Sequence, residues 1–118
     1  MYSAEAMNHF LDPQHPGVLE PADGRGQATN HACGDTVVMT LTVADGAIMA
    51  ARFSSQSCAG GIASCSVTAQ WAHGKSLTAA RELTGADVAG LLGGLPDAKL
   101  GCAEMAAEAL RNAADDAA

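Results

Sequence analysis

Cys33, Cys58 and Cys102 are the residues of this sequence best suited to chemistry, because each falls at a junction between predicted elements. A thiolate binds soft metals and attacks sulfur, and Asp35, two residues after Cys33, adds a hard oxygen within reach of the same centre. Three thiolates and one carboxylate make a four-coordinate site for zinc or a [2Fe-2S] cluster. The spacings match neither a CxxC knuckle nor a ferredoxin run, so the assignment rests on where the cysteines sit. Cys33 precedes the first long predicted strand, Cys58 lies between a strand and a long helix, and Cys102 opens the final helix. Gly34, Ala59 and Gly101 flank them with minimal bulk. At a helix N-terminus, unpaired N–H groups and the dipole favour a thiolate, which is expected at Cys58 and Cys102. Taken singly, each cysteine is as readily a small buried hydrophobe. Cys65 lies seven residues after Cys58, inside the long helix. That is roughly 10 Å along the axis, too far to share a metal with Cys58. It reads as a buried core thiol, with a sulfur relay as its secondary role.

The elements that must position these side chains follow from pattern. Ser3 caps a helix over 3–11 with Ala6, Met7, Phe10 and Leu11 as its apolar stripe, and Asp12-Pro13 ends it. Residues 13–31, rich in Pro and Gly, read as irregular, ending in a strand over 25–31. Residues 36–43 form a β-branched strand, Asp45-Gly46 a hairpin turn, and Ala47 to Phe53 the return strand. Residues 59–73 form a helix closed by Gly74, and Ser76 and Thr84 cap two shorter ones, Thr84 with Asp87 as a capping box. A last helix runs from Cys102 to Ala114 and buries Met105, Ala106, Ala109 and Leu110. Strands first and helices after make an α+β protein, a small three-stranded antiparallel sheet packed against four to five helices.

The 118 residues suit one domain over 1–118. Aromatics make up only 3%, so Val, Ile, Leu, Met and Ala must fill the core, and the Ala and Gly content predicts close backbone packing. A net charge of −7 argues against nucleic acid and anionic membrane surfaces, and suits a basic protein partner. The N-terminus lacks the basic and apolar stretches of a signal peptide, and no apolar run is long enough to cross a bilayer. A cytoplasmic location is expected, where four thiols stay reduced and serve metal binding, catalysis or burial rather than disulfides.

Read in order, Tyr2-Ser3, His9-Phe10, Asp12-Pro13, Gly17, Ala32-Cys33-Gly34-Asp35, Ala51-Arg52-Phe53, Cys58, Ile62-Ala63-Ser64, Gly74-Lys75-Ser76-Leu77, Leu95-Pro96 with Lys99, and Cys102 resemble the NifU/IscU-type iron–sulfur scaffold family. The resemblance covers nearly the whole chain and implies a SufE/NifU-like fold. It implies cluster-bearing cysteines at Cys33, Cys58 and Cys102, and a carboxylate near the cluster at Asp35. Cys102 and Asp35 are the pair expected to act in the chemistry. It further implies a cysteine desulfurase as sulfur donor, persulfide delivered to a scaffold cysteine, transfer of the finished cluster to apo iron–sulfur acceptor proteins, and zinc at the same site. The cluster is [2Fe-2S] or [4Fe-4S], and one shared across a homodimer is compatible with this set. Asp35 would be the weak, exchangeable ligand of a carrier that is no enzyme in the strict sense.

The sequence departs from the family at particular positions. Gly101 stands where histidine commonly precedes the third cysteine; His31 is placed to compensate, yet a lone histidine in a polar loop reads as solvated. Ser57 replaces a usual glycine, and Cys65 a usual serine. Leu95-Pro96-Asp97-Ala98-Lys99 lacks the second proline and the apolar residue of a chaperone-recognition stretch, which argues against an Hsp70-type chaperone. The ferredoxin-like and C-terminal domains of long NifU proteins are not expected. His73 and Trp71 read as structural. Two rival readings follow: a zinc-dependent, SufU-like sulfur acceptor (a sulfurtransferase), and a structural zinc module.

Overall fold

The computed structural model describes residues 2–118. Three antiparallel strands in the order β1-β2-β3 form the sheet: β1 Gly24–Asn30, β2 Asp35–Ala44 and β3 Ala47–Gln56. Five α-helices accompany them: α1 Ala4–Leu11, α2 Ala59–Ala72, α3 Leu77–Glu82, α4 Gly85–Leu91 and α5 Leu100–Ala117, with a single 3₁₀ turn at Asp97–Lys99 before α5. The α+β architecture expected from the sequence is the one observed.

β2 alternates as a half-buried strand should, with Val37, Met39 and Leu41 fully buried on one face. Its opposite face is covered near Thr40, whose hydroxyl accepts the Leu19 N–H at 3.0 Å from the irregular segment. Asp45 and Gly46 both take positive φ, 53° and 76°, the conformation a tight hairpin turn demands. The return strand runs three residues past Phe53, to Gln56, because Ser54, Ser55 and Gln56 still pair with Val38, Val37 and Thr36.

The glycines of β1 explain how α5 reaches the sheet. A Cβ on Gly26 would stand 2.2 Å from both the Ala109 carbonyl and the Ala113 N–H, so the α5 backbone rests directly on the strand. Ala106, Ala109 and Ala113, all fully buried, form the matching face of the helix. Close backbone packing of Ala on Gly substitutes for the aromatics the chain lacks.

The helix ends follow the expected chemistry. The Ser3 and Ser76 hydroxyls accept from Ala6 N and Ala79 N, and Thr84 and Asp87 make a reciprocal capping box. The apolar stripe expected on α1 is only partly buried: Ala6 is enclosed and Phe10 packs half-buried against the core, but Met7 and Leu11 are exposed, Leu11 at 72%. α5 begins at Leu100, two residues ahead of Cys102, and so places that cysteine inside the first turn rather than at its opening. Cys65 is fully buried within α2, as expected of a core thiol.

Candidate metal centre

Three junctions between elements meet at one end of the sheet. The first is the β1–β2 turn, where the Asn30 carbonyl accepts from Cys33 N at 3.2 Å and Gly34 N at 2.8 Å. Gly34, at φ 72°, lets the chain reverse there and exposes Cys33. The second is the start of α2, where Cys58 is the N-cap residue and donates its backbone N–H to Asp35 Oδ2 at 3.4 Å. Asp35 is the first residue of β2 and is 8% exposed, so the carboxylate is held beneath the helix end. The third is the first turn of α5, which brings in Cys102, fully buried.

Asp35, Cys58 and Cys102 each offer a ligand atom within 4.8 Å of the other two, among the described residues. The Cys58 and Cys102 sulfurs are 3.8 Å apart. Two thiolates bound about 2.3 Å from one tetrahedral ion stand about 3.8 Å apart, so this pair already has the spacing of a metal-bound pair. Cys33 stands outside that group, and its link to it is Asn30. The Asn30 amide nitrogen lies 3.7 Å from the Cys33 sulfur and 3.8 Å from the Cys102 sulfur. His31 is exposed on the same turn.

Helix N-termini favour thiolates, but at Cys102 other forces win. Burial, then the neighbouring Cys58 and Asp35, push its pKa up to about 12, against a smaller lowering by the Asn30 hydrogen bond. The neutral thiol is therefore the form held there without metal. Cys65 is raised as well, first by burial and then by Cys102 and Asp35.

Lys99 extends its ammonium to 3.6 Å from the Cys58 sulfur, and that sulfur in turn raises the lysine pKa. Small residues make this crowding feasible. A Cβ on Gly61 would fall 2.5 Å from Ser57 Cβ and 3.4 Å from Asp35 Oδ2, and one on Gly60 would touch Tyr2 and Lys99. The sequence alone does not place Asn30 in the site, and it marks Lys99 through the family resemblance and the chaperone stretch rather than as a neighbour of Cys58. An asparagine three residues before a cysteine carries no signal by type, whereas Lys99 stands three residues before Cys102, one helical turn away. His73 is structural, as expected. Its ring accepts from Ala51 N at 3.4 Å, reaches the Ala69 carbonyl at 2.9 Å and stacks on His15 with centroids 4.1 Å apart.

Comparisons with known proteins give the family and the fold. Over 116 residues the chain is 40% identical to the iron-sulfur cluster assembly scaffold protein IscU 1 of Archaeoglobus fulgidus, covering 98% of this chain and 76% of the relative. It is 34% identical over 119 residues to the Escherichia coli scaffold protein IscU, covering 98% and 92%. Its fold is similar to that of the crystal structure of a putative iron-sulfur cluster assembly scaffold protein for the SUF system from Fervidobacterium islandicum. That likeness has a TM-score of 0.74 at 20% identity and covers 96% of each chain. The NifU-like N terminal domain model matches residues 1–117, and the chain belongs to that family.

Proposed function

We propose that this protein is an iron–sulfur cluster assembly scaffold, a carrier whose cargo is built on Cys33, Cys58 and Cys102 with Asp35 as the exchangeable oxygen ligand. The observation that carries the reading is the Cys58–Cys102 sulfur separation of 3.8 Å beside the Asp35 carboxylate, a spacing that suits shared metal ligands. The names of relatives at 34–40% identity support it. One domain, in the cytoplasm, does this work.

The residues divide the task by position. Cys33, exposed on its turn, is the thiol an incoming cysteine desulfurase meets first. Cys102, buried and neutral before metal arrives, gives up its proton as iron binds. Asp35 offers a weaker bond than a thiolate, so the finished [2Fe-2S] cluster is held firmly enough to assemble and loosely enough to pass to an apo-acceptor. Lys99 offsets negative charge gathered at Cys58.

The test is to incubate the apo-protein anaerobically with ferrous iron, cysteine and a desulfurase, following visible absorbance and then transfer to an apo-ferredoxin. A cluster that forms and transfers is expected; failure of both overturns the reading. A second reading, a zinc-dependent sulfur acceptor, is favoured by the same sulfur spacing, which suits one tetrahedral zinc ion. Tight zinc that blocks assembly yet stimulates desulfurase turnover is the outcome that would select it.

A further inference from the structure

We propose that Asn30 is a positioning residue that ties Cys33 to the Asp35–Cys58–Cys102 group, and that position 101 is glycine because the Asn30 amide fills the space a side chain there would take. The inference rests on the scaffold reading for its purpose, and on the apo geometry for its substance.

Asn30 ends β1, paired in register with Asp35, so its backbone is fixed by the sheet and by the turn bonds from Cys33 N and Gly34 N. Its side chain points between two sulfurs, 3.7 Å from Cys33 and 3.8 Å from Cys102. A primary amide carries two N–H donors on one nitrogen, so each sulfur receives its own. Once metal draws the proton from Cys102, a donor nitrogen rather than the amide oxygen is the group that suits this place. Cys33 lies on an exposed turn, and this amide is its one side-chain hydrogen bond among the described residues.

Gly101 completes the argument. A Cβ built there would lie 3.2 Å from Asn30 Nδ2 and 3.3 Å from Oδ1. Both contacts are tighter than a Cβ ordinarily makes, so the amide would have to shift by a few tenths of an ångström, and a side chain larger than alanine would displace it further. Residues 30 and 101 therefore form one coupled unit, one side of the site supplying the amide and the other the room for it.

Groups that orient ligands typically change metal affinity by about 10–100-fold when removed. Asn30→Ala should weaken zinc binding by that factor, read by competition with a chromophoric chelator. With cobalt as probe, it should lower the sulfur-to-cobalt absorption by about a third, one thiolate of three at a tetrahedral site. Asn30→Leu, which keeps the volume and removes both donors, should match it if alanine disturbs folding. Retention of the full cobalt absorption in both variants overturns the proposal, whatever the affinity does. Gly101→Leu should reproduce the loss, and adding it to Asn30→Ala should change zinc affinity by less than about twofold, since contacting residues are not additive. Penalties that multiply would overturn the part played by Gly101.

A metal-free readout keeps this separate from the scaffold reading. In the apo-protein, the Asn30 side-chain amide resonances, read by NMR, should move on Cys33→Ala and again on Cys102→Ala. Resonances unmoved by both substitutions overturn the positioning role even if the parent assembles clusters. A parent that fails to assemble a cluster while the amide still senses both sulfurs sinks the scaffold reading alone.

Discussion

Cys102 combines two properties that pull against each other, a sulfur suited to metal and a position solvent does not reach. Its folded-state pKa of about 12 lies above the ordinary thiol value, so folding favours the protonated form. That stabilisation is complete below about pH 8.5 and is lost as pH climbs toward 12. The apo-protein should therefore lose resistance to urea between pH 8 and 10.5, and Cys102→Ala should shed part of that slope; an unchanged slope in the variant would remove Cys102 as its source. Metal reverses the preference, because a ligand thiol must release its proton. Zinc affinity should rise with pH by about tenfold per unit for each proton released, and Cys102→Ser should reduce the slope by one proton in competition titrations at pH 6.5 and 8.5. Asp35→Ala should act on release instead. Without the exchangeable oxygen, transfer of a preassembled cluster to apo-ferredoxin should slow by about tenfold, and an unchanged transfer rate would take Asp35 out of the mechanism. At this scale the sequence showed the ligand types directly, but it grouped Cys33 with them, whereas the folded chain gathers Asp35, Cys58 and Cys102 and leaves Cys33 to the side. It could not show that Asn30 would turn toward two sulfurs, since that depends on Gly101 from a segment 71 residues away in the chain.

The elements hold the site through close contact rather than bulk. β1 meets α5 at Gly24 and Gly26 with no room for a methyl group, and α5 carries Cys102 in its first turn. Gly26→Ala should cost about 3 kcal/mol or more, the upper range for overpacking, since the obstacles are backbone atoms. It should also move Cys102 relative to Cys58, so a lower urea midpoint accompanied by weaker zinc binding is expected, and either effect without the other would uncouple the helix's seating from the site. Thr84→Ala gives a contrasting case. It removes one half of a capping box at α4, where no candidate ligand lies, and should cost about 1 kcal/mol with zinc affinity unchanged. Strands, turns and caps were legible because each is written in local chemistry, as in Asp45-Gly46 or Ser76. The extension of β3 to Gln56 and the early start of α5 at Leu100 were not, because pairing partners and the preceding 3₁₀ turn decide them.

At the scale of the whole molecule, an acidic chain wraps its irregular segment around the sheet and α2 by a few polar contacts. Ser66 Oγ accepts from Gln14 N at 2.7 Å and bonds the His9 ring at the same distance, while Phe53 N donates to the His15 carbonyl at 3.1 Å. His15 stacks on His73 beside Arg52, and its pKa is lowered by burial first, then by the charge interactions with His73 and Arg52. His9 is lowered by burial alone. A base whose pKa falls on folding favours the native state in its neutral form, so this contribution is full above about pH 6.5 and fades as pH drops below it. Cys102 is shifted upward instead, which separates the acid response of the two histidines from the alkaline response of that thiol. Stability measured by urea unfolding of the apo-protein should fall between pH 7.5 and 5.5, and His15→Gln should flatten part of that fall by removing the charge that would otherwise form against His73 and Arg52. His9→Gln should flatten it independently, because its ring lies on the Ser66 contact rather than in the stacked pair. If both variants keep the parent's slope, the wrapped segment is not held by neutral histidines, and the acid sensitivity must come from carboxylates elsewhere on the chain.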